Sequence, residues 1–388
     1  MANPPEPTAK RPMFDGLPRL QMEKRASVPK TFQAIIPFAS VFVAFLLGAV
    51  PLLFYGVNPI EAYTKLIQGA FGSFDGIIRV LIKMTPLLFT SLAVAIPLRA
   101  GLWNIGAEGQ LHIGAVGATW VALTVLNNGG DASSWIVVPS MILMGAFLAG
   151  LYAFIPAILR AKFNTNEIIT TLMLNYVAFD IMRFFIAGPW RTSTGNFQTE
   201  TFPPSAFFPE FFGTQVDKVH LGLPIALVLV FVIYFIYTKT RIGYEAKVVG
   251  ANPNAASVGG ISQAKVIIWT LTLGGAIGGL AGVGEVAAIQ HKLIDGISPS
   301  LNPFGYTGIA VALLAKGHPL GLIPATITFS ALFEGGSSIQ ALPFASIYSG
   351  ETIQVPVAIV LVLEVLVIVS IIAGDYLSRY RMTWRRHG

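Results

Sequence analysis

The chain contains no cysteine. Disulfides, thiol nucleophiles and thiolate metal sites are therefore excluded. Charge is also scarce: Asp, Glu, Lys and Arg make up 11% of the 388 residues, where a soluble chain carries about 25%. No G-x-x-x-x-G-K-[ST] phosphate loop occurs, so ATP is not hydrolysed here by that device. H-E-x-x-H and G-x-S-x-G are missing too, and the five histidines are scattered. Neither an enzyme nor a metal site is expected. The surplus lies in apolar residues, at 54%. Most of the chain must face lipid or protein, which predicts an all-α polytopic membrane protein. The formal charge of +6 does not point to nucleic acid, because the basic residues sit at the ends of apolar runs, where they set orientation.

A helix needs about 20 apolar residues to cross a bilayer core. Ten apolar runs are spans or part-spans: residues 33–56, 76–98, 102–126, 135–159, 167–188, 221–237, 265–290, 304–315, 320–333 and 354–373. Residues 304–315 and 320–333 are short, so eight spans with two re-entrant segments, or discontinuous helices, stand beside ten crossings. Both counts put the two termini on one side. Arg99, Arg160, Lys162, Lys239, Arg241, Lys247 and Lys316 then share a side with the basic tails, leaving mainly Lys65, Arg191, Lys218 and Lys292 opposite. That asymmetry predicts cytoplasmic termini. Residues 1–31 are expected to be a mobile cytoplasmic tail, 32–377 the membrane domain and 378–388 a basic cytoplasmic tail. Residues 57–75 are expected to be an outer loop and 189–220 an extracytoplasmic segment. The polar lead-in to the first run does not have the form of a secretory signal.

Polar groups interrupt these runs. Residues 101–115, GLWNIGAEGQLHIGA, carry Asn104, Glu108, Gln110 and His112. Facing lipid, each would cost several kcal/mol. Asn104, Glu108 and His112 recur every four residues, which predicts one shared helix face. Two readings stay open: hydrogen bonds that hold the bundle together, or a polar wall beside a transport path that also takes in Trp103, Thr171 and Asn175. Asn164 with Glu167 has the spacing of a capping box at the start of the fifth span. Gly274 with Gly278, Gly275 with Gly279 and Gly278 with Gly282 predict a close helix-packing face. Glu108, Glu285 and Glu364 are carboxylates within apolar runs, and they support a rival reading as a proton-coupled secondary carrier.

Residues 241–261, RIGYEAKVVGANPNAASVGGI, form a polar platform between two apolar runs. Asn252 is positioned to cap a short helix with Pro253 at its first position, and Gly259–Gly260 to end it. Such a platform is either an ordinary basic loop or a place where a separate ATP-hydrolysing subunit docks.

Several stretches together resemble the permease subunits of nucleoside and simple-sugar ABC importers, in the branched-chain amino acid and ribose type of permease family. They are GLWNIGAEGQLHIGA at 101–115, NEIITTLMLNYVA at 166–178, GYEAKVVGANPNAASVGGI at 243–261, GYTGIAVALLA at 305–315 and AGDYL at 373–377. Trp103 stands where Phe is common, and the amino-terminal tail is long. The resemblance implies a type II importer permease fold in a bacterial cytoplasmic (inner) membrane. It implies pairing with a second, different permease subunit and with two ABC ATPase subunits, which would hold the ATP and Mg; no cofactor is expected in this chain. It also implies substrate delivery by an extracytoplasmic binding protein of the basic membrane lipoprotein type. The ATPase-coupling residues would be Arg241, Gly243, Glu245, Lys247, Gly250, Asn252, Pro253, Ala255, Ala256 and Gly260. The translocation path would include Trp103, Asn104, Glu108, Gln110, Thr171 and Asn175. Nucleosides, or a related sugar such as ribose or galactose, would be the cargo.

Overall fold

Capping residues decide where the apolar runs become helices. The computed structural model describes residues 19–24, 30–298, 303–378 and 380–385. Strand β1 (Arg19–Lys24) precedes α1 (Lys30–Phe54). Asn58 then accepts from the Ile60 N–H and Pro59 takes the first position of α2 (Pro59–Phe71). Ser73 accepts from Gly76 to start α3 (Phe74–Leu98). Next come α4 (Ala107–Asn127), α5 (Ser134–Phe163) and α6 (Glu167–Ala187). A hairpin of β2 (Glu210–Gly213) and β3 (Lys218–His220) leads into α7 (Gly222–Lys239). The short helices α8 (Arg241–Ala251) and α9 (Pro253–Val258) precede α10 (Gln263–Gly284), which runs on into a π-helical turn, Glu285–Gln290. The chain ends with α11 (Phe304–Leu314), α12 (Pro319–Ala341), the hairpin β4 (Pro343–Ala345) and β5 (Thr352–Gln354), α13 (Val357–Ser378) and β6 (Tyr380–Arg385).

Among the described residues, seven helices are long and apolar enough to cross a membrane, or eight if the bent pair Ala39–Phe54 and Pro59–Phe71 is one span. All ten apolar runs are helical, but two do not meet the requirement. Helix α11 has 11 residues. Helix α12 has the length, at 23 residues, but carries Glu334, Gly335, Gly336, Ser337 and Ser338 in its second half. The chain is thus an all-α polytopic membrane protein.

Two compact units divide the chain. The first joins Met1–Gly48 to Val365–Gly388. In it β1 pairs antiparallel with β6, Glu23 opposite Arg381 and Lys24 opposite Tyr380. Within the amino-terminal tail, Arg19–Lys24 form a strand. A side chain on Gly374 would run into Ser40, so the ends of α1 and α13 pack closely here.

The second unit, Ala49–Glu364, is built around α3 and α10. Helix α3 packs against α7, α10, α11 and α12, and α10 also packs against α4 and α5. Small residues make this approach possible. A Cβ on Gly279 would run into Ala149 of α5, and one on Gly282 into the Leu111 carbonyl of α4. Across the same seam, Gly114 of α4 faces the Gly279 backbone. The spaced glycines of α10 therefore form a close packing face, as small-residue helix interfaces do where the surrounding lipid supplies no hydrophobic drive.

Residues 57–75, expected to be a loop, are mostly α2. Ala62, Leu66 and Ala70 are buried at four-residue spacing, and Leu66 meets Gly335 of α12. That spacing, with the Asn58–Pro59 start, was the available signal. The segment 189–220 folds over the end of α10: Phe208 N–H donates to the Ala287 carbonyl and Phe202 N–H to that of His291, at 2.9 and 2.8 Å.

His220 anchors this segment, its Nδ1 accepting from the Gly222 N–H at 3.1 Å. Burial pushes the imidazole down to about 4, against the opposing effect of Glu210. The unfolded chain then binds a proton, at about 6.5, before the folded protein does. This contribution to stability is complete above that value and is lost as pH falls towards 4. Melting of the purified protein should weaken between pH 7 and 5 by about 2 kcal/mol from this group alone. His220→Gln should flatten that part of the profile; an unchanged slope would remove His220 as its cause.

Candidate functional site

Inside the membrane-spanning region the chain breaks between α3 and α4. Pro97 has no N–H, so the carbonyl of Ala93, four residues earlier, loses its helical partner. Asn104 replaces it, donating from Nδ2 at 3.1 Å. The same side chain pairs reciprocally with Gln110, at 2.9 and 3.0 Å, and accepts from the Gly106 N–H at 3.1 Å. Gly101 makes the preceding turn with φ +76°, a conformation that disfavours a Cβ. Helix α4 begins only at Ala107. Asn104 therefore lies in the extended connection and does not share a helix face with Glu108 and His112.

The first N–H groups of a helix have no intrahelical partner, and the α4 start has no side-chain cap of its own. Asn175 of α6 supplies one across the bundle. Its Oδ1 accepts from the Gly109 N–H at 2.8 Å, while Nδ2 donates to the Ile105 carbonyl at 2.9 Å and to the Tyr306 hydroxyl at 3.1 Å. Thr171, one turn earlier on α6, accepts from the Ile105 N–H at 3.2 Å. Glu108 does for α11 what Asn175 does for α4. Its Oε2 accepts from the Gly305 N–H at 2.6 Å, and a carboxylate is favoured at a helix N-terminus. His112 sits above it, Nδ1 at 2.8 Å from the Glu108 carbonyl. Asn104, Glu108, Gln110, Thr171 and Asn175 are all buried. The structure thus brings together five of the six residues put forward for the path, and each satisfies backbone groups or a neighbouring amide at two broken helices. Trp103 is half buried beside them and is not part of the network.

The capping at α6 differs from the expected box. Asn164 closes α5 in the left-handed conformation, φ 52°. Asn166 is the cap, its Oδ1 accepting from Ile168 and Ile169. Glu167 pairs instead with Arg160, at 3.3 Å. Glu285 is buried at the head of the π-helical turn. The Glu364 side chain lies outside the described residues. An ionic cluster has no signature in the sequence: Lys83 meets Glu334 of α12 at 2.7 Å, and Arg79 meets both Glu334 and Asp217. Its partners lie more than one hundred residues apart, so no local spacing marks it.

The platform is two short helices. Thr240 caps α8 and Asn252 caps α9, accepting from Ala255 N–H at 3.1 Å with Pro253 in first position. Gly259 ends α9, and Gly260 follows with φ +73°. Gly243 packs its backbone on Ile236 and Tyr237 of α7. Ala246, Val249 and Ala256 join a core with Ala100, Leu102, Ala157, Val266 and Leu271. The outer face carries Arg241, paired with Glu245 at 2.7 Å, and the exposed Lys247 and Val258. A Cβ on Gly250 would stand 2.5 Å from the Arg99 carbonyl and 3.0 Å from the Gly101 nitrogen. The platform therefore rests directly on the turn that leads to Asn104. Of the ten residues put forward for ATPase coupling, Gly243, Gly250 and Ala256 hold the platform to the body, and Arg241, Lys247 and Ala255 face outward.

Residues 76–372 match the family described as branched-chain amino acid transport system / permease component. The chain belongs to this family. The permease is 35% identical over 372 residues to the glucose ABC transporter permease protein TsgB13 of Haloferax volcanii, covering 94% of this chain and 93% of that one. It is 34% identical over 313 residues to the nucleoside ABC transporter permease protein NupB of Lactococcus lactis, covering 79% and 84%. It is 30% identical over 361 residues to the guanosine ABC transporter permease protein NupP of Bacillus subtilis, covering 92% and 97%. The permease is thus a multi-pass membrane subunit of an ABC transporter and not itself an enzyme.

Proposed function

We propose that this permease forms half of the membrane path of an importer for nucleosides or a related simple sugar. A second, different permease supplies the other half. An extracytoplasmic binding protein of the basic membrane lipoprotein type delivers the substrate, and two ABC ATPase subunits bind ATP and Mg. Glucose, nucleosides and guanosine are the cargoes that its relatives' names carry. Residues 241–261 are the docking platform for an ATPase subunit, 189–220 face the binding protein, and both termini are cytoplasmic in a bacterial inner membrane. The β1–β6 pairing supports one side for both termini, since strands that pair cannot be separated by a bilayer.

The observation that carries this reading is the contact of Gly250 with Arg99–Gly101. An exposed pair of helices that bears on the start of α4 gives an ATPase subunit leverage on the middle of the bundle. Coupling requires the two states of the transporter to differ in their contacts there. The test is affinity purification from native membranes followed by uptake in proteoliposomes. Recovery of an ATPase and a second permease, with ATP-dependent guanosine or glucose uptake, is expected. Uptake that persists without ATP and collapses with an uncoupler would instead favour a proton-driven carrier.

A further inference from the structure

Between α4, α6, residues 295–298 and Pro303 lies a cavity of about 340 Å³. That is at the small end of ligand pockets, which start near 300 Å³. Glu108, His112, Tyr176, Arg183, Asp295 and Tyr306 line it. We propose that this cavity is a substrate subsite within the permease itself, built for a neutral, hydroxyl-rich ring. The proposal rests on the substrate reading above and locates where that substrate is held.

Each charged group in the cavity already has a partner. Glu108 is held by the Gly305 N–H at the start of α11. Arg183 and Asp295 pair at 3.3 Å at the mouth, both well exposed to an entering molecule. A phosphorylated sugar would meet two carboxylates against one guanidinium, so an anion is disfavoured and a neutral molecule is not. The hydrogen-bonding groups suit hydroxyls of either polarity. Nδ1 of His112 faces a carbonyl, which can only accept, so a proton sits on Nδ1 and Nε2 is the ring nitrogen left to meet a hydroxyl. The Tyr306 hydroxyl accepts from Asn175, which leaves its own proton to donate. Phe179 holds His112 edge-on, with ring centroids 4.5 Å apart. Tyr176, 56% exposed, offers an aromatic face to a sugar or a base.

The chain has no cysteine, so Gly296→Cys, at the cavity lining where an added side chain meets nothing within 4 Å, introduces the only thiol in this subunit. Its labelling by a maleimide is measured in the complete complex in proteoliposomes, without the binding protein. Guanosine and glucose are the neutral probes and ribose 5-phosphate the anionic one. Whichever neutral probe is transported should slow labelling by about threefold or more at millimolar concentration, as occupancy requires. Adding Asp295→Asn should remove that protection, and Val216→Cys, 89% exposed in the turn between β2 and β3 and left uncovered without the binding protein, should label equally with or without probe. If uptake is intact but no neutral probe protects, the subsite falls and the importer reading stands. Equal protection by ribose 5-phosphate overturns the neutral class. A complete transporter that carries neither guanosine nor glucose overturns the subsite and the substrate reading together.

Discussion

Gly250→Val is expected to cut uptake about tenfold or more while the ATPase subunits stay bound and continue to hydrolyse ATP, a loss of about 1.4 kcal/mol in coupling. The reason is steric. A Cβ at Gly250 would stand 2.5 Å from the Arg99 carbonyl and 3.0 Å from the Ala100 carbonyl carbon. Both neighbours are backbone and have no rotamer to change, and overpacking of this kind costs about 1–3 kcal/mol. Helix α8 must then lift off the turn that leads to Asn104. ATP consumed per substrate imported, measured in proteoliposomes, separates this outcome from simple loss of assembly. Gly259→Ala is the control, because its added methyl meets only ordinary contacts, 3.4 Å from the Ala255 carbonyl. Wild-type coupling in Gly250→Val would show that motion reaches the bundle by another route.

Asn175→Ala should destabilise the permease by about 2–6 kcal/mol, against a total of about 5–15 for a folded protein. Removal of the amide leaves the Gly109 N–H and the Ile105 carbonyl without their partners. Each orphaned buried group costs about 1–3 kcal/mol, and no water inside the bilayer core replaces the lost bonds. A lower melting temperature in detergent is the readout. The paired change at Glu108 separates capping from proton transfer. Glu108→Gln keeps an acceptor for the Gly305 N–H, so both stability and uptake should survive. Glu108→Ala should lose both. Loss of uptake in Glu108→Gln at unchanged stability would return Glu108 to the role of a proton carrier.

The local features were legible from residue order. Asn252–Pro253 and Gly259–Gly260 specify α9, because a cap, a proline first turn and a glycine stop act within a few residues. The glycines of α10 likewise announce a close packing face. Misreadings arose where two local explanations competed. Asn164 and Asn166 both precede Glu167; the left-handed backbone at Asn164 makes it the end of α5 and leaves the cap to Asn166. Helix α2 was hidden by Glu61, Lys65 and Gln68, whose polarity outweighed the buried Ala62, Leu66 and Ala70.

What the sequence by itself determined is the class of protein: apolar run length and scarce charge require a helical membrane protein, and the motifs place it among the permeases. Tertiary structure alone decided what the buried polar residues do. Glu108 meets Gly305 across 197 positions, and Asn175 meets Gly109 across 66. Helical periodicity shows which side chains share a face, but not which distant backbone group lacks a partner. That depends on where α4 and α11 start in space, which the packing of α3 against α10 and α11 sets.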